Sequence, residues 1–163
     1  RSPEREGIFK FIGEVAPRVT YLYKLKTRKD IQIKSIADLK KYTHGVVNHY
    51  AAHYRLMKLG VQNIETVVDD IQNIHKLAFG RIDLYPQDEI VFLHNIRIYN
   101  ENNYPELKFL EFERAFEFPS EGKGRTLSFG PVTDNNIVQK FQKSFEKIKA
   151  SGRLDAIKSK YIK

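Results

Sequence analysis

Two histidines stand at a spacing that metal-binding helices use. His49 and His53 are four residues apart, so a helix would place both imidazole rings on one face. A protein site for a transition metal needs further ligands, and neither an HExxH motif nor a third ligand with suitable spacing accompanies this pair. We therefore interpret both as surface or ligand-adjacent histidines and predict that the chain binds no metal.

Two pairs of adjacent acids offer carboxylates for general acid–base chemistry. They are Asp69-Asp70 and Asp88-Glu89, and each stands at the start of a segment with helical periodicity. Acids at a helix start usually accept hydrogen bonds from the free N–H groups there and interact favourably with the helix dipole. Both pairs are therefore predicted to cap helices rather than to carry out catalysis.

The remaining motifs do not point to an enzyme. The segment Gly122-Lys123-Gly124 is rich in glycine, but the Gly-Lys-Ser/Thr sequence of a phosphate-binding loop does not follow, which favours a flexible turn. The sequence has no Gly-x-Ser-x-Gly nucleophile motif. It also has no cysteine, which excludes disulfides, thiolate metal sites and cysteine nucleophiles. We predict that the chain is not an enzyme and needs no cofactor.

The elements that position these residues are predicted from hydrophobic periodicity and from capping signals. Strands are expected where apolar residues run or alternate between turn signals, and helices where apolar residues recur every three or four positions. The predicted strands are 20–26, 44–48, 64–68, 81–85, 107–112 and 125–130. The predicted helices are 36–42, 51–59, a helix from Asp69 or Asp70 to Gly80, 88–98, 134–150 and a last helix that ends near Tyr161.

Strands that alternate with helices of this length indicate an α/β fold with a largely parallel sheet. Such sheets bind ligands beyond the carboxyl ends of their strands, where helix starts present free N–H groups. Two loops in these positions are therefore the main candidates for binding. One runs from Asn48 to Ala51, and the other runs from Pro86 to Asp88.

The net charge of +8 over 163 residues raises the question of a nucleic-acid partner. Much of the excess lies in residues 131–163, which contain eight bases and three acids. The bases interleave with apolar residues at helical spacing, a pattern typical of an amphipathic helix with a solvated, lysine-rich face. We predict no nucleic-acid binding. The alternative is a nucleic-acid binder, which strongly salt-dependent binding to random DNA would support. No run approaches the roughly 18 apolar residues of a membrane span.

Four segments, in order over nearly the whole chain, carry characteristic motifs. They are Ser2-Pro3-Glu4-Arg5 through Val15-Ala16-Pro17, Ile36-Ala37-Asp38-Leu39-Lys40 with Gly45-Val46-Val47, Leu77–Leu84, and Phe141–Tyr161. The second contains "DLK…GV", the third contains "L-x-x-G-R-x-D", and the fourth ends in Lys-Tyr. Together they resemble the extracellular solute-binding family 3, the amino-acid type of ABC importer receptor.

The resemblance implies a type 2 periplasmic-binding-protein fold, in which two α/β lobes joined by crossing strands close over a ligand. Residues 18–124 would form one complete lobe, with a largely parallel sheet flanked by helices. Residues 1–17 would be a remnant of the other lobe with the first hinge crossing, and residues 125–163 the second crossing with the C-terminal helices. We therefore expect an N-terminally truncated first lobe and a signal peptide that has been removed, since the chain begins with Arg1.

Three predicted ligand contacts carry charge or hydrogen-bonding side chains. Arg5 corresponds to the arginine that pairs with the ligand carboxylate, a role that suits the guanidinium fork. Asp88 corresponds to the acid that holds the ligand ammonium group, and Gln87 is its side-chain neighbour. The alternatives are a surface salt bridge for Arg5 and a helix N-cap for Asp88, and one aspartate can serve both roles.

The other three predicted contacts lie where a helix follows strand 44–48. Asn48 stands where many family members place a basic or other polar ligand contact. Tyr50 and Ala51 match the residues whose backbone N–H groups meet the ligand carboxylate. His49-Tyr50 replaces the usual Gly-Thr of the family, which makes this edge of the pocket bulkier.

The resemblance implies the periplasmic solute-binding component of an ABC import system. Such a protein captures a small polar solute, here an amino acid or similar zwitterion, and delivers it to a membrane permease. Two alternatives share the fold. One is a ligand-sensing domain of a signalling protein, and the other is a cyclohexadienyl dehydratase-like enzyme that turns over prephenate or arogenate with an acid facing the substrate.

Apolar residues of the predicted C-terminal helices lack the partners that a complete first lobe would supply. They are Phe141, Phe145, Ile148, Leu154 and Ile157. An apolar face of this size rarely stays exposed. We therefore predict that the chain self-associates or swaps elements between copies.

Overall fold

The computed structural model describes residues 7–101, 110–119 and 124–161. The chain divides into two compact units. The central unit comprises Val19–Pro119, and the flanking unit comprises the described residues before and after it. Of the sequence predictions, Arg5, residues 107–109 of the strand 107–112 and residues 122–123 of the glycine-rich turn lie outside the described residues. The described strand in this region runs from Phe112 to Phe118, so the predicted strand 107–112 ends where the observed strand begins.

The described elements alternate between strands and helices. The strands are β1 (Lys10–Ala16), β2 (Thr20–Leu25), β3 (His44–Val47), β4 (Ile64–Val67), β5 (Tyr85–Asp88), β6 (Phe112–Phe118) and β7 (Arg125–Phe129). The helices are α1 (Ala51–Lys58), α2 (Asp70–Ala78), α3 (Glu89–Glu101), α4 (Asn135–Ala150) and α5 (Arg153–Tyr161), with a 3-10 helix at Ile36–Lys41.

The α/β class predicted from the sequence is confirmed, but the expected largely parallel sheet is not found, since the strand pairing among the described residues of the central unit is mixed. Strands β3 and β4 pair in parallel, and an isolated parallel bridge between His44 and Leu84 connects β3 to the chain entering β5. Strand β2 pairs antiparallel with both β5 and β6. The antiparallel pairing of β2 with β6 follows from the chain path, because β2 leads into the central unit and β6 leads out of it beside β2.

Local hydrogen bonds explain where two of the helices begin and one ends. The Asp69 carboxylate accepts from the Gln72 N–H at 2.9 Å at the start of α2, and the Asp134 carboxylate accepts from the Asn136 N–H at 2.8 Å before α4. Gly80 follows α2 with a φ of +65°, a conformation that glycine adopts without steric cost. These caps confirm the predicted helix boundaries, because each depends on residues within one turn of the helix end.

The predicted strand at 81–85 is wrong by several residues, since β5 begins only at Tyr85. The preceding residues instead close the end of α2: the Arg81 N–H donates to the Lys76 carbonyl at 2.8 Å. The Asp83 carboxylate accepts from the Thr43 N–H at 2.9 Å. The apolar residues Ile82 and Leu84 are buried. The backbone of Arg81 closes the helix end, whereas that of Leu84 bonds to Thr43 and Gly45.

Two hydrophobic clusters cover opposite faces of β2. Leu22 belongs to one cluster and Tyr23 to the other, because successive side chains on a strand point to opposite faces. The Tyr23 cluster includes residues of α2, α3 and β5, and the Leu22 cluster includes residues of α1, β3 and β6. This packing holds the strands of the central unit between helices and fixes where each helix starts.

The flanking unit is built on the antiparallel pair β1 and β7, against which α4 packs. Phe145 of α4 is buried, and a Cβ atom added at Gly13 of β1 would lie 2.2 Å from its ring. Glycine is therefore required at position 13 by the close approach of the aromatic ring. The Gln142 side chain also donates to the Phe11 carbonyl at 2.8 Å, which fixes α4 along the strand.

Candidate functional site

Three helix starts lie at the carboxyl ends of strands in the central unit. Strand β3 leads through residues 48–50 into α1, β4 leads through residues 68–69 into α2, and β5 leads directly into α3. Because β3 is parallel to β4 and bridges in parallel to the chain entering β5, these three transitions share one edge. We call this the strand-end edge, defined by residues 48–51, 68–70 and 87–89. A helix start in this position suits anionic or polar ligand groups.

Asp88 is the last residue of β5 and caps α3. Its Oδ1 atom accepts from the Ile90 N–H at 3.0 Å and from the Val91 N–H at 3.3 Å. The side chain is deeply placed, with the residue only 5% exposed. The N-cap interpretation is confirmed, and the role of Asp88 toward a ligand ammonium group stays a prediction.

Gln87 is held at both ends of its amide. Its Nε2 atom donates to Asp70 Oδ1 at 2.8 Å and to the Tyr85 hydroxyl at 2.7 Å. Its Oε1 atom accepts from the Asp88 N–H at 2.7 Å. The Tyr85 hydroxyl in turn donates to Asp70 Oδ1 at 2.6 Å. We call these three side chains the Asp70–Tyr85–Gln87 network.

The Tyr85 hydroxyl is a permanent donor in this network. Burial raises the pKa of Tyr85 far above its usual range, and the nearby Asp70 carboxylate raises it further. The hydroxyl therefore stays protonated at physiological pH. Sequence reasoning treated Asp70 only as a cap and did not single out Tyr85. The hydrogen bond between Asp70 and Tyr85 could not be predicted from the local sequence, because the two residues are 15 positions apart on different elements.

The three residues predicted at the start of α1 are all exposed. The Asn48 N–H donates to the Val67 carbonyl at 3.0 Å, which ties this loop to the end of β4. The Tyr50 N–H donates to the Val47 carbonyl at 3.2 Å, so it belongs to the turn. Ala51 is the first residue of α1, and the N–H groups of a first helical turn have no acceptor within their helix. Of the two predicted backbone donors, Ala51 is therefore better placed for an anion.

His49 and His53 form a cluster of rings with Tyr54. His49 has a positive φ of 62°, and its Nδ1 atom lies 2.8 Å from the Tyr54 hydroxyl. The His49 N–H donates to His53 Nδ1 at 3.3 Å, so that nitrogen serves as a hydrogen-bond acceptor. Within the described ranges, no group of three or more histidine, aspartate or glutamate side chains is arranged to hold a metal ion.

The three helix starts differ in charge. The first turn of α1 contains no acid, whereas α2 begins with Asp69 and Asp70 and α3 begins with Asp88 and Glu89. Glu89 forms a salt bridge with Arg114 of β6. The start of α1 is thus suited to an anion, and the starts of α2 and α3 carry carboxylates suited to a cation. A small zwitterion presents both groups.

No protein-family model and no curated protein matches this sequence. Solved structures do match. A histidine kinase sensor domain with similarity to periplasmic binding proteins has a TM-score of 0.73 at 14% identity, over 99% of this chain and 66% of that chain. This chain has the type 2 periplasmic-binding-protein fold. The fold predicted from the sequence is therefore confirmed.

Two further structures share this periplasmic-binding-protein fold. An ancestral amino acid-binding protein, a precursor of cyclohexadienyl dehydratase, has a TM-score of 0.73 at 15% identity, over 100% of this chain and 66% of that one. An amino acid ABC transporter substrate-binding protein from Streptococcus pneumoniae, bound to L-arginine, has a TM-score of 0.69 at 18% identity, over 96% and 62%. The chain thus spans about two thirds of the length of these proteins.

Among the residues that the structure describes, none of the helices combines the length and the apolar composition needed to cross a bilayer.

Proposed function

We propose that this chain is the solute-binding component of an ABC import system. It would capture an amino acid or similar zwitterion outside the cytoplasmic membrane and deliver it to a membrane permease. The observation that carries the proposal is the strand-end edge. One acid-free helix start and two acid-bearing helix starts lie along this same edge. The similarity in fold to an amino acid ABC transporter substrate-binding protein supports the same assignment.

In this proposal each charged group of the solute has a partner. The N–H group of Ala51 and its neighbours in the first turn of α1 bind the carboxylate, helped by the helix dipole. Arg5, which lies outside the described residues, stays a predicted partner of the ligand carboxylate. Asp88 holds the ammonium group while its Oδ1 atom caps α3, because an ionised carboxylate has about four lone-pair sites. Asn48 supplies a polar contact at the carboxylate end.

Binding would proceed by closure of two lobes over the solute, the hinge motion typical of this fold. In this proposal residues 18–124 form one lobe, so the lobe boundaries lie between residues 17 and 18 and between residues 124 and 125. The function needs no bond breakage and no cofactor, so we propose that the protein is a receptor rather than an enzyme. A mature protein in the periplasm, with its signal peptide removed, would be in the compartment where such receptors work.

Thermal unfolding with a panel of amino acids tests this proposal. A solute present at a thousand times its dissociation constant adds about 4 kcal/mol to stability. The unfolding midpoint should therefore rise by roughly 8–16 °C with the cognate solute. An unchanged midpoint with every amino acid of the panel would contradict the proposal.

Two matched variants locate the effect. Asp88→Asn removes the charge, yet asparagine remains a good N-cap, so the variant should fold and lose the ligand-induced shift. Asp134→Asn makes the same change at the cap of α4 and should keep the shift. Equal ligand-induced shifts in the two variants would show that the charge of Asp88 does not hold the solute.

Two specific neighbours favour alternatives of the same fold. The histidine kinase sensor domain supports a ligand-sensing role, and the precursor of cyclohexadienyl dehydratase supports an enzyme. Incubation with prephenate and arogenate separates the enzyme from the other two, since only an enzyme consumes them. Uptake of the bound solute by cells with and without the protein separates an importer receptor from a sensor.

We also propose that the flanking unit mediates contact between copies. On α4, Ile137 and Phe141 are 46% and 55% exposed, and Leu127 of β7 is 49% exposed. Apolar residues grouped in this way usually contact a partner. Sedimentation at micromolar concentration should show self-association that weakens in Phe141→Glu. A clean monomer for the unaltered chain would overturn this part of the proposal.

A further inference from the structure

Asp70 has a role that the proposed function does not use. It is the first residue of α2, and its Oδ1 atom accepts from both the Tyr85 hydroxyl and Gln87 Nε2, at 2.6 and 2.8 Å. Hydrogen bonds to an ionised acceptor are about twice as strong as those between neutral groups. The start of α2 also favours a negative charge at this position. One carboxylate therefore connects α2 to two residues of β5.

The hydrogen bonds continue from Asp70 to the backbone of Asp88. Gln87 donates to Asp70 and to Tyr85 through Nε2, and its Oε1 atom accepts from the Asp88 N–H at 2.7 Å. A reversed amide would place Oε1 against the Asp70 carboxylate and the NH2 group against the Asp88 N–H. Both contacts would be repulsive, so only one amide orientation fits. Asp70 thus determines which group of Gln87 faces Asp88.

The strand beneath the network is held independently of Asp70. On β5, Tyr85 pairs with Tyr23 of β2 and Gln87 pairs with Tyr21. Tyr85 and Gln87 are two positions apart, so their side chains project from the same face of the strand. Tyr85 is 1% exposed, so its hydroxyl has no access to water as an alternative acceptor. Asp88 pairs with Thr20 in the same ladder. Loss of the Asp70 acceptor therefore changes the hydrogen bond from the Asp88 N–H to Gln87, whereas the pairing of β5 with β2 remains.

We propose that Asp70 is a positioning residue that acts through Gln87 to hold the junction of β5 with α3, and so presents Asp88 to the solute. The proposal rests on the proposed function and deepens it. It also revises the prediction for Gln87, which becomes a link within the protein rather than a contact to the solute. Asp70 itself does not touch the solute.

The test compares Asp70→Asn with Asp69→Asn, using isothermal titration with L-arginine as the probe. Both changes remove one charge from the start of α2, but only Asp70 belongs to the network. We expect Asp70→Asn to weaken binding about tenfold, the loss of one charge-assisted hydrogen bond, and Asp69→Asn to weaken it less than about twofold. Equal losses in the two variants would overturn the proposal, because a general charge effect would then suffice.

A double variant separates positioning from a general loss of stability. If Asp70 acts through Asp88, the Asp70→Asn change should cost almost no further affinity in the Asp88→Asn background, since coupled residues are not additive. A second tenfold loss in that background would show an independent effect and contradict the proposal.

Amide NMR spectra without any ligand provide a readout that does not depend on solute binding. The Asp88 backbone amide and the Gln87 side-chain amide should shift and exchange faster with solvent in Asp70→Asn, and neither should change in Asp69→Asn. Unchanged Asp88 and Gln87 signals in Asp70→Asn would overturn the positioning role. If the unaltered protein binds no L-arginine or other amino acid, the proposed function fails and these spectra alone decide the role of Asp70.

Discussion

The starts of α1 and α3 occupy equivalent places on the strand-end edge, yet they are built differently. The start of α1 follows an exposed loop in which Tyr50 caps the helix without a side-chain hydrogen bond. The start of α3 follows directly from β5 and is capped by the buried carboxylate of Asp88, which the Asp70–Tyr85–Gln87 network supports. The comparison indicates an exposed, acid-free helix start for an anion and a buried, acid-bearing helix start for a cation.

The largest expected effect tests whether the two hydrophobic clusters of the central unit differ in packing. Leu56 of α1 and Leu77 of α2 are both fully buried, one in each hydrophobic cluster. Truncation of either side chain to alanine should destabilise the protein by about 3 kcal/mol, through lost burial and a cavity. Urea denaturation measures both. A much smaller loss of stability for Leu56→Ala would show that the cluster around Leu56 is loosely packed. The complete burial of Leu56 argues against that outcome.

The carboxylate end of the site is tested by Ala51→Pro. Proline is well tolerated at the first position of a helix, and Tyr50 before it has φ −78° and ψ 161°, which suits a residue that precedes proline. The change removes one N–H donor while the helix remains. Affinity for the cognate amino acid should fall about tenfold, the loss of one hydrogen bond to a charged group. Ala52→Ser is the matched control, and calorimetry should show little change for it. Unchanged affinity in Ala51→Pro would place the carboxylate elsewhere.

Stability should also depend on pH through His44, the first residue of β3. His44 is fully buried on β3, its Nε2 atom donates to the Leu39 carbonyl at 2.8 Å, and burial lowers its pKa. Below its ordinary pKa of about 6.5 the unfolded chain binds a proton that the folded chain does not. The contribution of His44 to the free energy of unfolding should therefore be constant above that pH. Below that pH it should fall, by up to about 1.4 kcal/mol per pH unit.

The measurement is urea denaturation between about pH 8 and pH 5. His44→Gln keeps a donor for the Leu39 carbonyl but does not titrate, and the other four histidines remain in both proteins. The difference between the two pH profiles therefore isolates His44. Parallel profiles would mean that His44 accepts a proton in the folded protein without cost.

The smallest expected effect concerns the loop before α1. His49 has a φ of 62°, a conformation that costs a residue with a side chain roughly 1 kcal/mol more than glycine. His49→Gly removes this cost but also the contact with the Tyr54 hydroxyl and some rigidity of the loop. We expect a net gain in stability of at most about 0.5 kcal/mol, seen as a small rise in unfolding temperature. A clear loss would show that the ring cluster stabilises this end more than its exposure indicates.

Features that depend on neighbouring residues were predicted well from the sequence. The sequence predicted one helix start at Asp69 or Asp70, another at Asp134, and the end of α2 at Gly80. The structure shows capping hydrogen bonds at Asp69 and Asp134 and a positive φ at Gly80. Their hydrogen bonds form within one helical turn, so the local sequence contains the needed information. The motif order likewise predicted the fold, which the structural comparisons confirm.

Features that depend on contacts between distant elements could not be read in the same way. The start of β5 was misplaced because Asp83 bonds to Thr43, 40 residues away, and this contact decides where the turn gives way to strand. The hydrogen bond of the Gln87 amide to Asp70, 17 residues away on α2, likewise had no local sequence pattern, and the contact of Gln87 with a solute stays a prediction.

The sequence by itself determined the order of strands and helices, their caps and the positions of the acids at the helix starts. The tertiary structure decided which acid caps a helix and which acid orients the Gln87 amide. It also decided which backbone N–H donors remain available at the strand-end edge. The physical reason is the range of the interactions. A cap is satisfied by the adjacent turn, whereas the orientation of a side-chain amide depends on every charged group that folding brings against it.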